Sequence, residues 1–261
     1  MYDFSYKRAS SVDEALAILA EDDFASPLSG GQTLLPVLRA RLAMPTQLID
    51  LADIDTLKGI SSDGDRITIG AMETHAAVAT NDLVQAHLPA LAALAGGIGD
   101  PQVRHRGTIG GSIANNDPAA CYPAAALALG AEIQTSKRSI AAEEFFTGMF
   151  STALEPGEII VAVRFPHCGS AHYAKHSNPA SRFALVAVFA ARLADGLRVA
   201  VTGAGSGVFR WNEAENATNA ADLKSASLNR EHYTGDIHGS AEYRMQLTRV
   251  MAAQCFEAIG Q

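Results

Sequence analysis

Two short glycine segments are the residues of this sequence best suited to bind a charged ligand. The first is Ser29-Gly30-Gly31-Gln32-Thr33 and the second is Thr108-Ile109-Gly110-Gly111-Ser112. Consecutive glycines let backbone N–H groups approach an anion, and neighbouring hydroxyl and amide side chains add donors. A pyrophosphate requires such donors, so the two segments together could hold one dinucleotide. Either segment alone is also explained as a tight turn, because Gly-Gly pairs are common in turns.

Regular structure is expected around the first segment. The capping box Ser11-x-x-Glu14 predicts a helix over residues 11–20. Residues 26–28 lead into the glycines, and the apolar residues 34–39 follow, with Thr33 as the predicted helix cap. The pattern therefore predicts a strand, a glycine loop and a helix.

The second segment leads into a polar stretch and an Ala-rich helix predicted over residues 118–129. Asp117 stands at the start of this helix and Gly130 just past its end, which is the usual asymmetry of helix caps. Asn115 and Asp117 could either cap the helix or hydrogen-bond a ligand. Both interpretations stay open at the level of the sequence.

The remaining patterns predict an α+β chain with two unequal domains. Strands are expected at 48–51, 57–60, 67–70, 159–165 and 197–202, and helices at 82–94, 211–219 and 243–259. The apolar run 183–193 is ambiguous between helix and strand. Asp63-Gly64 and Asp195-Gly196 are predicted hairpin turns.

Composition excludes several classes of function. The chain has 261 residues, a net charge of −8 and no run of Lys and Arg, so nucleic acid is not an expected partner. It has no apolar stretch long enough to span a bilayer, and its first residues do not resemble a signal peptide. We therefore expect no membrane span and a cytoplasmic location.

No metal site is expected in this chain. Cys121, Cys168 and Cys255 are far apart, so they do not form the set of thiolates that an iron-sulfur cluster requires. His167, Cys168, His172 and His176 fit no compact zinc spacing. The segment Gly203-Ala204-Gly205-Ser206-Gly207-Val208 follows a predicted strand, but it departs from the dinucleotide fingerprint at Val208 and comes too late in the chain. A glycine-rich turn is the better interpretation.

The order and spacing of several segments resemble the FAD-binding medium subunits of the xanthine dehydrogenase and aerobic carbon monoxide dehydrogenase family, the molybdenum hydroxylases. The resemblance covers nearly the whole chain. The matching segments are residues 29–36, Ile69-Gly70-Ala71 with Thr74-His75, residues 102–118, residues 156–160, and Tyr173-Ala174-Lys175.

The resemblance implies a fold of the vanillyl-alcohol-oxidase (PCMH) type, in which FAD lies between two α+β subdomains. These would be residues 1–55 and 56–168, approximately, followed by a small C-terminal α+β domain at residues 169–261. The resemblance also implies cofactor-binding residues and no catalytic ones. The residues expected at the pyrophosphate are Leu28, Ser29, Gly30, Gly31, Gln32, Thr33, Leu34, Leu35, Thr108, Ile109, Gly110, Gly111 and Ser112. Ile98 is expected near the isoalloxazine, Ile160 near the adenine half, and Tyr173 and Lys175 beside the flavin from the C-terminal domain, while Asn115, Asp117 and Cys121 complete the set.

Two departures from the family pattern accompany the resemblance. Cys121 stands where the family often has an Asp that touches the cofactor. Residues 176–182 replace a basic stretch that usually ends in an acidic residue. The contacts of the flavin in these two places are therefore expected to differ.

The implied function is that of the flavoprotein subunit of a molybdenum hydroxylase. FAD in this chain would accept electrons from an iron-sulfur small subunit and pass them to an external acceptor, while a molybdenum large subunit oxidises the substrate. Iron-sulfur clusters and the molybdenum cofactor are expected only in these partner chains, in a dimer of heterotrimers. The alternative is a stand-alone FAD-dependent oxidoreductase or a nucleotide-binding module that uses the same two segments.

Overall fold

Residues 1–260, which the computed structural model describes, form three main sheets and the helices between them. In chain order the strands are β1 (Ser5–Arg8), β2 (Ser26–Leu28), β3 (Gln47–Asp50), β4 (Ile60–Asp63), β5 (Arg66–Gly70), β6 (Glu132–Thr135), β7 (Ser139–Ala141), β8 (Phe146–Gly148), β9 (Ser151–Thr152), β10 (Ile160–Pro166), β11 (Ala171–Ser177), β12 (Ala184–Leu193), β13 (Gly196–Thr202) and β14 (Phe209–Arg210). The α-helices are α1 (Val12–Glu21), α2 (Leu34–Arg39), α3 (His75–Thr80), α4 (Asp82–His87), α5 (Pro89–Gly96), α6 (Pro101–Arg104), α7 (Ile109–Asn115), α8 (Tyr122–Leu129), α9 (Ala142–Phe145), α10 (Asn212–Glu215) and α11 (Ala241–Ile259). Short 3-10 helices span Asp55–Leu57, Asp222–Lys224 and Arg230–His232.

The three sheets follow one another along the sequence. The first is parallel, in the order β1-β3-β2, because helices α1 and α2 return the chain between its strands. The second is antiparallel, in the order β4-β5-β10-β6-β7, and the third is antiparallel, in the order β11-β12-β13-β14. Strands β8 and β9 form a separate small hairpin.

Helix α8 is surrounded by other helices and strands of the chain. All its residues are buried, as expected for an Ala-rich helix without a polar face. It packs against β12 and β13, so the largest core cluster extends into the third sheet through Phe189, Ala191 and Ala200. Helix α11 covers the opposite face of that sheet. The ambiguous run 183–193 is therefore a strand that is covered on both faces, which explains its lack of alternation.

Several predicted caps and turns are confirmed. The Ser11 hydroxyl accepts a hydrogen bond from the Glu14 N–H at 3.1 Å and begins α1. Gly64 and Gly196 have φ values of 62° and 131° in the two predicted hairpin turns, and Gly130 ends α8 with a φ of 62°. No helix within residues 1–260 is long and apolar enough to cross a membrane.

Four predicted elements need correction. The helix expected at 82–94 is two helices, because Pro89 cannot continue α4 and the preceding Leu88 leaves the helical conformation. The strand expected at 57–60 begins only at Ile60, after a 3-10 helix. The helix expected at 118–129 begins at Tyr122, and that expected at 211–219 is limited to Asn212–Glu215. In each case local hydrogen bonds or proline geometry prevailed over apolar spacing.

Candidate functional site

The first glycine segment connects β2 to α2 as an open loop, as predicted. Gly31 has a φ of 71°, a conformation that side chains other than glycine rarely adopt. The backbone N–H groups of Gly31, Gln32 and Thr33 have no hydrogen-bond acceptor within residues 1–260. Thr33 occupies the N-cap position of α2, as predicted, but its side chain makes no capping hydrogen bond. The loop therefore presents free donors of the kind that a phosphate requires.

The second glycine segment is the first turn of α7, which corrects its prediction as a donor loop. The Gly110 N–H donates to the Ala71 carbonyl at 2.9 Å, and the Gly111 N–H donates to the capping hydroxyl of Thr108 at 3.1 Å. A Cβ on Gly110 would lie 2.6 Å from the Ala71 Cβ. Gly110 is thus required for close packing against Ala71, and neither of these N–H groups remains free for a ligand.

The two segments are joined directly. The Ser29 Oγ and the Thr108 Oγ1 share a hydrogen bond of 2.7 Å, although 79 positions separate them in the chain. Gly30 approaches the backbone of Arg106 so closely that a Cβ would lie 2.0 Å from its carbonyl oxygen. Because glycine has no side chain, the first loop can approach the backbone of Arg106 closely, and its free N–H donors lie near the start of α7.

Both segments line one cleft of about 590 Å³. The cofactor-binding residues predicted from the resemblance that line it are Ser29, Gly30, Gly31, Gln32, Thr33, Leu34, Ile98, Thr108, Gly110, Gly111, Ser112, Asn115, Asp117, Cys121, Ile160 and Lys175. Cleft-lining residues come from both glycine segments, from β10 and from β11, so the site is assembled from distant parts of the sequence.

The other predicted site residues lie behind the cleft wall. Leu28 and Leu35 pack beneath Gly31, where their Cδ1 atoms would lie 3.3 Å and 3.0 Å from an added Cβ. Ile109 is fully buried in the core, because it occupies the inner side of α7. The hydroxyl of Tyr173 is buried without a hydrogen-bond partner, and burial, followed by the nearby Cys121, raises its pKa. These residues support the wall and do not form its surface.

A lysine and a cysteine meet at one side of the cleft. The Lys175 Nζ donates to the Gly97 carbonyl at 3.2 Å and lies 3.6 Å from the Cys121 Sγ. Cys121 immediately precedes α8 and is only 6% exposed. Ile98 follows Gly97, so an apolar side chain, a thiol and a cation are close together here.

The segment between α7 and α8 is fixed from two sides. Asn116 has a φ of 43°, and its side-chain amide donates to the Gly148 and Ser151 carbonyls, both at 2.8 Å. The hydroxyl of Thr202 donates to the carbonyls of residues 118 and 120. The Asp117 carboxylate accepts a hydrogen bond from the Ala119 N–H in a local turn. The prediction that Asp117 caps α8 is therefore wrong, because α8 begins only after Cys121.

His75 is a cleft-lining residue to which the sequence analysis gave no role. It is 5% exposed, and its Nδ1 has no hydrogen-bond partner within residues 1–260. Its Nε2 would lie 2.6 Å from a Cβ on Gly107, so glycine is required there. Burial, with a smaller contribution from Arg104, lowers the pKa of His75 to about 4. The only signal in the sequence was the Thr74-His75 pair of the resemblance.

Charged residues of the cleft are few. Lys175 and Arg182 are its lysine and arginine side chains, and Asp117 and Glu158 its carboxylates. Burial alone would raise the pKa of Glu158, but hydrogen bonds from Arg138, Thr135 and the Glu155 N–H lower it to about 2. Glu158 is therefore a structural anion. Arg182, like His75, lines the cleft but was given no role in the sequence analysis.

The motifs that the sequence analysis set aside have structural roles. A Cβ on Gly205 would lie 1.9 Å from the His232 carbonyl oxygen, so the 203–208 segment is a turn packed on another loop, and strand β14 follows it. The His167 ring stacks on His87 at 4.1 Å, and the Cys168 thiol contacts the Ser170 and Arg192 carbonyls. Within residues 1–260 no three His, Cys, Asp or Glu side chains converge as metal ligands would.

The cleft fits FAD. Its volume lies in the range of roughly 300–1,000 Å³ that is typical of small-molecule and cofactor sites. The free N–H groups at residues 31–33 suit a pyrophosphate, and the apolar side chains of Ile98 and Ile160 suit aromatic rings. Together these features match what the binding of a dinucleotide requires.

Comparison with known proteins identifies the class as FAD-binding. Residues 2–168 match the family described as the FAD binding domain in molybdopterin dehydrogenase. The chain is 34% identical to the nicotine 6-hydroxylase medium subunit of Paenarthrobacter nicotinovorans, over 94% of this chain and 93% of that subunit. It is 41% identical to the carbon monoxide dehydrogenase medium chain of Afipia carboxidovorans, over 62% of this chain and 58% of that one.

A solved structure agrees with these relatives. Carbon monoxide dehydrogenase from Hydrogenophaga pseudoflava, in a form lacking the Mo-pyranopterin moiety, superposes with a TM-score of 0.91 at 31% identity, over 99% of this chain and 98% of that chain. The chain therefore belongs to the FAD-binding medium subunits of the molybdenum hydroxylase family, which are oxidoreductases.

Proposed function

We propose that this chain holds FAD in the cleft and transfers electrons from an iron-sulfur partner subunit to an external acceptor. The single observation that supports this most is the union of both glycine segments in one cleft, with free N–H donors on the first. FAD supplies redox chemistry in steps of one or two electrons, which suits an exchange between single-electron clusters and a two-electron acceptor.

The binding mode that we propose assigns a part of the cofactor to each side of the cleft. The N–H groups of Gly31, Gln32 and Thr33 bind the pyrophosphate, and Gly110 and Gly111 line the same cleft. Ile98 contacts the isoalloxazine and Ile160 the adenine half. This mode corresponds to a fold of the vanillyl-alcohol-oxidase (PCMH) type, with FAD-binding subdomains at residues 1–55 and 56–168 and a C-terminal domain at residues 169–261.

Two side chains on this side of the cleft, Lys175 and Tyr173, have separate roles in this mode. The Lys175 ammonium lies beside Cys121, so it would stabilise negative charge on a ring placed next to Ile98. Tyr173 lies behind this pair and stays protonated, because burial raises its pKa. The chain therefore provides positioning and electrostatics and leaves the electron transfer to the cofactor.

The partners that we propose are an iron-sulfur small subunit and a molybdenum large subunit, arranged as a dimer of heterotrimers. Support comes from relatives that are named medium subunits, including those of nicotine 6-hydroxylase and carbon monoxide dehydrogenase. The three cysteines of this chain also lie apart, in agreement with clusters that reside in another chain.

A flavin titration tests this function. The purified chain, alone and in its native assembly, is titrated with FAD and with FMN while flavin absorption and fluorescence are recorded. We expect FAD to bind and FMN to bind weakly, because FMN lacks the pyrophosphate. A native assembly without bound FAD would exclude the proposal, whereas oxidoreductase activity of the isolated chain would favour a stand-alone enzyme.

A further inference from the structure

We propose that Arg182 binds the pyrophosphate of the dinucleotide in the cleft, so that the C-terminal part of the chain completes a phosphate site begun by the first glycine loop. This inference rests on the proposed function. It assigns a ligand to a side chain in a part of the sequence where the chain departs from its family pattern.

The charges that line the cleft support this assignment. A pyrophosphate carries negative charge, and the first loop offers it backbone N–H, hydroxyl and amide groups but no cation. Lys175 and Arg182 are the lysine and arginine side chains that line the cleft. Lys175 already donates to the Gly97 carbonyl and lies against Cys121. Arg182 forms no ion pair and donates no side-chain hydrogen bond within residues 1–260, which leaves its guanidinium free for a ligand.

The carboxylates of the cleft do not compete for Arg182. Glu158 is held by Arg138, Thr135 and the Glu155 N–H, and Asp117 accepts from the Ala119 N–H. An arginine without an acidic partner at a cleft wall is suited to phosphate, because its planar guanidinium can donate two parallel hydrogen bonds to an anion.

Hydrogen bonds hold the backbone of Arg182 in one conformation at the cleft. Arg182 has a φ of 62°, an unusual conformation for a residue with a side chain. It is held by hydrogen bonds from the Arg182 N–H to the Asn178 carbonyl and from the Asn178 N–H to the Phe183 carbonyl, both at 2.8 Å. Ser181, Arg182 and Phe183 all line the cleft, so the turn between β11 and β12 faces the ligand.

The chain offers a matched control in Arg41. This residue is also exposed, has a φ of 58°, and lies outside the cleft. R41Q and R182Q therefore make the same change in charge on similar backbone conformations. R182K keeps the charge but loses the paired donors.

Binding of FAD, ADP and riboflavin to the full chain, measured by calorimetry and fluorescence, tests the proposal. We expect R182Q to weaken FAD and ADP about tenfold, the usual effect of losing a charged hydrogen bond, and to leave riboflavin unchanged. R182K should lose less, and R41Q should bind all three ligands as the wild type does. An equal loss for riboflavin, or FAD affinity unchanged in R182Q, would overturn the role of Arg182 while leaving the proposed function intact. Absence of FAD binding by the wild type, alone and in its assembly, would overturn both.

Discussion

Ser29 and Thr108 lie 79 positions apart in the FAD-binding region of the chain, yet their hydroxyl oxygens are 2.7 Å apart. Thr108 also accepts from the Gly111 N–H and thereby caps α7. One hydroxyl thus fixes a helix start and joins it to the loop that carries the free N–H donors. The position of the first loop and the stability of α7 are therefore linked at this contact.

Replacing Thr108 with valine should lower both stability and FAD affinity. The loss of the cap should reduce the free energy of unfolding by about 1–2 kcal/mol. S29A removes the contact but keeps the cap, so it should reduce FAD affinity with a smaller effect on stability. Chemical denaturation and FAD titration measure the two effects. The control is S11A, which removes the cap of α1 far from the cleft; a loss of FAD binding there equal to that in T108V would contradict the link.

Alanine at Gly31 should weaken FAD binding through the shape of the first loop. The added Cβ would press on Leu28 and Leu35, and the positive φ disfavours any side chain. G64A is the matched control, because Gly64 has a φ of 62° in an open hairpin turn outside the cleft. Both variants should lose about 1 kcal/mol or more of stability, from backbone strain. Only G31A should lose flavin, as measured by the ratio of flavin to protein absorbance.

His75 should make the FAD-free protein less stable as the pH falls from neutrality. Its pKa in the folded protein is about 4, below the ordinary value of 6.5, so the unfolded chain binds this proton first. The free energy of unfolding therefore falls as the pH is lowered from the ordinary pKa of 6.5 to about 4, by on the order of 3 kcal/mol in total. Below that range the effect of His75 on stability no longer changes with pH.

Urea denaturation between pH 7 and pH 5 tests this effect in the wild type and in H75N. The asparagine variant cannot titrate, so its stability should depend less on pH across this range. H105N, which changes an exposed histidine, serves as the control and should keep the wild-type slope. Equal slopes in H75N and the wild type would show that the buried imidazole does not govern the dependence.

Cys121 should be the thiol that reports on occupancy of the cleft. It lines the cleft, whereas Cys168 and Cys255 are buried elsewhere, and burial raises the pKa of both. Maleimide should therefore label Cys121 first in the FAD-free chain, and FAD should slow that reaction. Peptide mass spectrometry identifies the labelled site. Labelling of Cys121 at the same rate with and without FAD would place the cofactor away from this thiol.

The sequence predicted the chemistry of the cleft better than its local geometry. The glycine-rich segments and the family resemblance indicated which two segments line the cleft. They did not indicate that the N–H groups of Gly110 and Gly111 would be used in hydrogen bonds within the protein, because the acceptor for Gly110 is the carbonyl of Ala71, which is distant in sequence. The break at Leu88 was predictable in principle from Pro89. Arg182 and His75 could not be assigned from spacing alone, because their proximity to the cleft depends on how the third sheet and α3 pack.

The hydrogen bonds from Thr202 to the carbonyls of residues 118 and 120 have a consequence for biosynthesis. A ribosome makes the glycine segments and the turn before α8 well before it makes β13, which holds that turn in place. The emerging N-terminal half therefore cannot complete the cleft by itself, because cleft-lining residues such as Lys175 and Arg182 have not yet been synthesised. Flavin capture should follow release of nearly the entire chain, and ribosome-bound fragments that end before Thr202 should leave free FAD in solution.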